Sequence, residues 1–140
     1  MEYTSENRGV WQFKDRARQL INYNGLRFGN ITPTDSDGEI EYHNKAWVFF
    51  EMKHNNAPVG RGQKTAFERK IHDISKGGKP AVFFIVDHYV DDVSEDIDAA
   101  SCVVRELTIG HGWKKGDGRT LRQYIDGFLK WVDKDWLERG

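Results

Sequence analysis

The run Ala81-Val82-Phe83-Phe84-Ile85-Val86 constrains this chain more than any other feature. It follows Pro80 and carries no polar residue, so it does not alternate as a half-solvated strand would. A strand of that kind is covered on both faces, which places it centrally in a sheet with helices packed against it. Apolar helical stripes are available for the purpose. Phe13, Ala17, Leu20 and Ile21 recur at helical spacing and predict a helix over residues 8 to 24, stopped at Asn24-Gly25. Phe67, Ile71 and Ile74 mark a second helix, closed by Gly77-Gly78. Leu121, Tyr124, Ile125, Phe128, Leu129 and Val132 form a third stripe. It follows Thr120-x-x-Gln123, the pattern of a reciprocal N-terminal cap.

Further strands are expected over Leu26 to Thr32, Glu39 to His43, Ala46 to Lys53 and Cys102 to Ile109. Asn44-Lys45 between two of them signals a hairpin. The order is helix, three strands, helix, two strands, helix. It predicts an α/β or α+β sandwich with a central mixed sheet of four or five strands, flanked by helices.

At 140 residues the chain has the length of one domain, and a single domain over 1–140 is expected. Hydrophobic residues are 38% of it and aromatics 13%, enough to fill a core. No apolar run is long enough to cross a bilayer, and the first residues lack the pattern of a secretory signal. A soluble cytoplasmic protein without a membrane partner is expected. Cys102 is the sole cysteine, which excludes an internal disulfide and a cysteine-based metal site. The formal net charge of -1 is not the global signature of a nucleic-acid binder, but charge is segregated. Acid gathers in residues 91–98, and base gathers in Lys14/Arg16/Arg18, Arg61/Lys64 and Lys114/Lys115/Arg119/Arg122.

The candidate chemistry lies in the hairpin. Asp37 stands at the mouth of one strand. Fourteen positions later the partner strand, otherwise apolar through Trp47-Val48-Phe49-Phe50, carries Glu51-Met52-Lys53. Alternate residues share a face, so Glu51 and Lys53 point the same way. Pairing of the strands would let Asp37 approach Glu51. Two carboxylates brought together call for a cation or a shared proton, and hard oxygen ligands favour magnesium or manganese. Gln63 opens the second helix one turn before Phe67 and could point back at the same strand end.

Asp37, Glu51-Met52-Lys53 and the helix-borne Gln63 resemble the PD-(D/E)XK nuclease superfamily. Its virus-type replication–repair nucleases and Holliday junction resolvase-like enzymes are small and often encoded by phages or mobile elements. The resemblance covers about residues 9 to 90, and residues 91–140 would be a C-terminal strand and helix extension. Phe67 stands where some branches carry a tyrosine, and Pro33 lies four residues before Asp37 rather than beside it. Asp35 is a rival to Asp37, and Asp15 is the nearest acid on the first helix.

The resemblance implies a restriction-endonuclease-like fold and magnesium-dependent hydrolysis of phosphodiester bonds, with manganese as a substitute. Asp37, Glu51 and the Met52 carbonyl would be metal ligands. Lys53 would position the water or meet developing charge, and Gln63 would orient the nucleophile or a phosphate. Arg61, Lys64, Arg69 and His54 would contact DNA. A homodimer would allow both strands to be cut. The alternative is a catalytically inactive nuclease-fold module that binds DNA or protein. Asp87-His88 offers a further acid–base pair, and Trp11, Trp113 and Trp136 are expected to pack rather than stack on bases.

Overall fold

The computed structural model describes residues 25, 27–30 and 36–139, with side chains as far as Lys134. The chain divides into two units, Met1–Pro33 and Thr34–Gly140. The helix expected over 8–24, with Trp11 and Asp15, lies outside the described residues, as do Pro33 and Asp35. Of the strand expected over Leu26 to Thr32, residues 27–30 are described. They include a turn at Gly29, φ +64°, where the Arg27 Nε donates to the Gly29 carbonyl at 3.1 Å.

The second unit is α+β. Its elements are β1 (Gly38–Tyr42), β2 (Ala46–His54), α1 (Arg61–Lys76), β3 (Ala81–His88), a 3-10 turn (Ala99–Ser101), β4 (Val103–Thr108), β5 (Lys114–Lys115) and α2 (Leu121–Arg139). The described residues form a five-stranded mixed sheet in the order β1-β2-β3-β4-β5. β2 and β3 are parallel, joined through α1, and every other neighbouring pair is antiparallel. Among the described residues no helix is long and apolar enough to cross a membrane.

β3 is the central strand its sequence demands, buried from Ala81 to Asp87. One helix covers each face. Phe49, Ala81 and Phe83 pack with Phe67 and Ile71 of α1. On the other face Val48, Val82, Phe84, Val86 and Val104 pack with Leu121, and Tyr124, Ile125, Phe128 and Leu129 of α2 close the cluster. The stretch after residue 90, expected as an extension, thus supplies one whole side of the core.

The β1–β2 hairpin turns one residue earlier than the sequence suggests. His43 and Asn44, not Asn44 and Lys45, are its central residues, with φ of 49° and 61°. Positive φ at both positions forms a tight turn within the three residues, His43 to Lys45, that separate the paired Tyr42 and Ala46. Lys45 N donates to Tyr42 O at 2.8 Å, and Asn44 N donates to Glu41 Oε2 at 2.6 Å. Gly38 opens β1 because Phe50, its register partner, lies across it. A Cβ on Gly38 would stand 2.1 Å from the Phe50 ring.

α1 ends in the expected glycine pair. Gly78, φ +108°, takes the left-handed position, and the Gly78 and Lys79 amides donate back to Ser75 O and Ile74 O. α2 begins with the expected reciprocal cap. Thr120 N donates to Gln123 Oε1 at 2.9 Å, and Gln123 N donates to Thr120 Oγ1 at 3.2 Å.

The loop between β5 and α2 is pinned by Asp117. Its carboxylate accepts from the Arg119 guanidinium and from the Tyr124 hydroxyl at 2.9 Å. These bonds hold the carboxyl well below the usual range, at about 2. A depressed folded pKa lends stability above the ordinary value, and that stability is lost as pH falls through the folded one. The melting-temperature gap between wild type and Asp117→Asn should therefore narrow as pH falls from 3.8 to about 2. A gap that stays constant over that window would show that the charge contributes nothing to the loop.

Candidate functional site

The parallel β2–β3 pair builds the site in rows. Phe49 stands opposite Phe83, Glu51 opposite Ile85, and Lys53 opposite Asp87. Residues two apart share a face, so all six point to the side covered by α1. The Phe49–Phe83 row lies under Phe67 and is apolar. The next rows turn polar where the first turn of α1 ends its cover. β4 extends the middle row, with Glu106 opposite Ile85.

Glu51 is 6% exposed. A buried carboxylate is tolerated only when hydrogen-bonded or paired. Gln63 Nε2 donates to Glu51 Oε2 at 3.1 Å, and Lys53 Nζ lies 3.8 Å from the same oxygen. Both partners come from where the sequence predicts them, one from the first turn of α1 and one from two residues along β2. No side chain caps the N-terminus of α1 at Gly60. The positive end of its dipole adds to the field around Glu51.

Asp37 reaches the same strand end by a different contact. Its amide extends the β1–β2 ladder to Phe50 O at 3.0 Å, and its Oδ2 accepts from Met52 N at 2.7 Å. The side chain thereby stands in for the main-chain acceptor that Met52 would find on a longer β1. Sequence reasoning expects Asp37 to approach Glu51 itself. The contact observed is to the backbone one residue on.

Two further charged pairs share this face. Lys64, the neighbour of Gln63 on α1, donates to Glu106 Oε1 at 2.9 Å and lies 5.0 Å from the centre of the Trp113 ring. Consecutive residues of the first turn of α1 are therefore staked to carboxylates on β2 and β4. Asp87, 9% exposed, is bound by Arg105, whose Nε donates to Oδ2 at 3.0 Å and whose Nη2 donates to Oδ1. That bond to Asp87 also raises the guanidinium pKa above its ordinary value. Periodicity does not single out Arg105 and Glu106; the signal that could is two adjacent charges within an otherwise apolar strand.

The remaining expectations divide. Arg61 and Arg69 are exposed on α1. His54 is exposed, and its Nε2 lies 2.9 Å from Asp91 Oδ1, in the acidic stretch. The side chains of Asp87 and His88 take different partners. Asp87 turns to Arg105, and His88, the next residue along the strand, uses Nδ1 to accept from Val90 N at 3.3 Å. Trp113 packs against Phe83 with ring centres 6.3 Å apart, as expected of a core residue.

Asp37 and Glu51 are hard oxygen donors of the type a magnesium or manganese ion takes. Among the described residues no group of three or more His, Cys, Asp or Glu is arranged to hold a metal ion. Asp37 and Glu51 alone are too few ligands for an all-protein cage, so an ion bound here would have to keep several waters, as magnesium does. Comparison of the chain with protein-family models, with curated proteins and with solved structures finds no match.

Proposed function

We propose that this protein is a divalent-metal-dependent nuclease that hydrolyses phosphodiester bonds in DNA, on a sheet of restriction-endonuclease-like type. The observation that carries the reading is Glu51, buried in the C-terminal half of β2 and held by Lys53 and Gln63. Asp37 is fastened to the next backbone amide along. A carboxylate, a lysine and a carboxamide gathered at one strand end cost stability, and a reaction accounts for their being there.

Magnesium, or manganese in its place, would be held by Asp37, Glu51 and the Met52 carbonyl, and would supply an acidified water and charge neutralisation at the phosphate. The protein's own share is positioning and electrostatics. Glu51 is fixed in one orientation by Gln63, and the N–H of Met52 fixes Asp37. The Lys53 ammonium, tethered to Glu51, is placed to hold the attacking water or to meet charge developing on a phosphate oxygen. Arg61 and Arg69, with Lys64 once it leaves Glu106, would meet the flanking backbone phosphates and make binding sensitive to salt.

The test uses plasmid DNA with magnesium, manganese or EDTA, beside Glu51→Gln, which preserves volume and removes the charge. Metal-dependent nicking or linearisation by the wild type and none by the variant is expected. Manganese should also raise the melting temperature of the wild type and leave that of Glu51→Gln unmoved, because a ligand that binds the folded state stabilises it. Wild-type protein that neither cuts plasmid, junction or RNA substrates nor shifts with metal would reject the enzyme and leave a nuclease-fold binding module.

A further inference from the structure

In the row beyond Glu51, Lys53 and Asp87 stand opposite each other on adjacent strands and on one face. Opposite charges so placed attract. The lysine nonetheless lies toward Glu51, and Asp87 is taken by Arg105 through both of its oxygens. We propose that Arg105 is a positioning residue for the candidate site: by occupying Asp87 it keeps the Lys53 ammonium on Glu51.

The backbone is built for this pairing. Glu106 is opposite Ile85 and Val104 is opposite Val86, so the register shifts between Ile85 and Val86 and Arg105 is the extra residue. In a regular strand Val104 and Glu106 would share a face. Here Val104 is buried in the cluster under α2 while Glu106 bonds Lys64 of α1 on the other side. A bulge of this kind re-aims the side chain it carries, and here it sends the guanidinium to Asp87. Arginine suits the task because its planar fork meets both carboxylate oxygens at once, which an ammonium does not. Lys53 therefore has no competitive partner in its own row, and its charge stays at the carboxylate where the reaction is proposed to occur.

The role rests on the proposed nuclease reading, and the test separates the two. In a crystal structure of Arg105→Gln, the Lys53 Nζ should lie within ion-pair distance of Asp87 rather than of Glu51. In the same variant kcat for DNA cleavage should fall by about tenfold, with KM within about twofold, because only an interaction made in the transition state is lost. The double variant Asp87→Asn/Arg105→Gln removes the competing charge. It should return Lys53 to Glu51 and bring kcat to within about threefold of wild type.

Lys53 still on Glu51 with wild-type kcat in Arg105→Gln would overturn the role, and so would a double variant as slow as the single one. If Arg105→Gln does not fold, Arg105→Lys retains the charge without the fork. The same displacement of Lys53, with a fall in kcat of about threefold, is then expected, and unchanged kcat overturns the role. A wild type that cuts no nucleic acid rejects the nuclease reading alone, since the position of Lys53 in the variants is read without activity.

Discussion

Replacing Lys53 with alanine is expected to slow the proposed metal-dependent DNA cleavage by roughly 10²–10³-fold while the protein stays folded. The size of the effect follows from where the ammonium sits. Its Nζ is 3.8 Å from Glu51 Oε2, and its side chain is 23% exposed, so it is partly shielded and aimed by one partner. A preorganised charge in such a place costs no reorganisation when charge develops on the phosphate. Its contribution to folding is smaller. The separation is too long for a strong hydrogen bond, and Glu51 keeps the Gln63 carboxamide at 3.1 Å. A stability loss of about 1–2 kcal/mol is therefore expected, against the several that follow when a buried carboxylate loses every partner. Single-turnover rates in magnesium, beside a urea titration of the same preparation, measure both. A variant that cuts at the wild-type rate would remove Lys53 from the chemistry. A variant that unfolds would show that the pair serves the fold instead.

The same contrast between chemistry and fold explains what the sequence makes legible. The two described helices follow from periodicity, the hairpin from a turn signal between two apolar runs, and β3 from its unbroken apolar run, which records burial directly because α1 and α2 cover both of its faces. The Glu51–Lys53 pairing is legible because strand alternation puts i and i+2 together whatever the tertiary structure. The Gln63–Glu51 bond needs only one short loop between β2 and α1. The contacts that the sequence does not reveal depend on register. The partner of Asp37 is a backbone amide on the next strand, exposed to it only because β1 stops at Gly38. The Asp87–Arg105 pair depends on a bulge, and no residue-by-residue pattern marks which residue of β4 is the extra one. The two residues of β5 are too few to leave a periodic trace. The hairpin turn falls one residue early because His43 adopts positive φ without being glycine or asparagine, the residues by which such turns are usually read.

Phe83→Ala should destabilise the protein by about 3–5 kcal/mol, the cost of deleting a fully buried aromatic and leaving its cavity. Phe83 is 0% exposed. Its ring stacks on Phe67 at 3.9 Å and on Phe49 at 6.2 Å, and meets Trp113 edge-on at 6.3 Å. At a urea dependence of about 2 kcal/mol per molar, the unfolding midpoint should fall by about 2 M. Phe84→Ala is the matched comparison. It too is fully buried, but it faces α2, with the Tyr124 ring 5.6 Å away. Both variants should lose similar global stability and differ in where they loosen. Phe83 anchors Phe67, one turn along α1 from Gln63, so its loss frees the end of the helix that grips Glu51 and Glu106. Amide exchange in α1 from Lys64 to Ile71 should therefore accelerate more in Phe83→Ala than in Phe84→Ala, compared at urea concentrations that equalise their global stability. Equal exchange in the two would mean that the core unfolds as one unit and that the grip of α1 on the two carboxylates does not depend on the aromatic stack behind it.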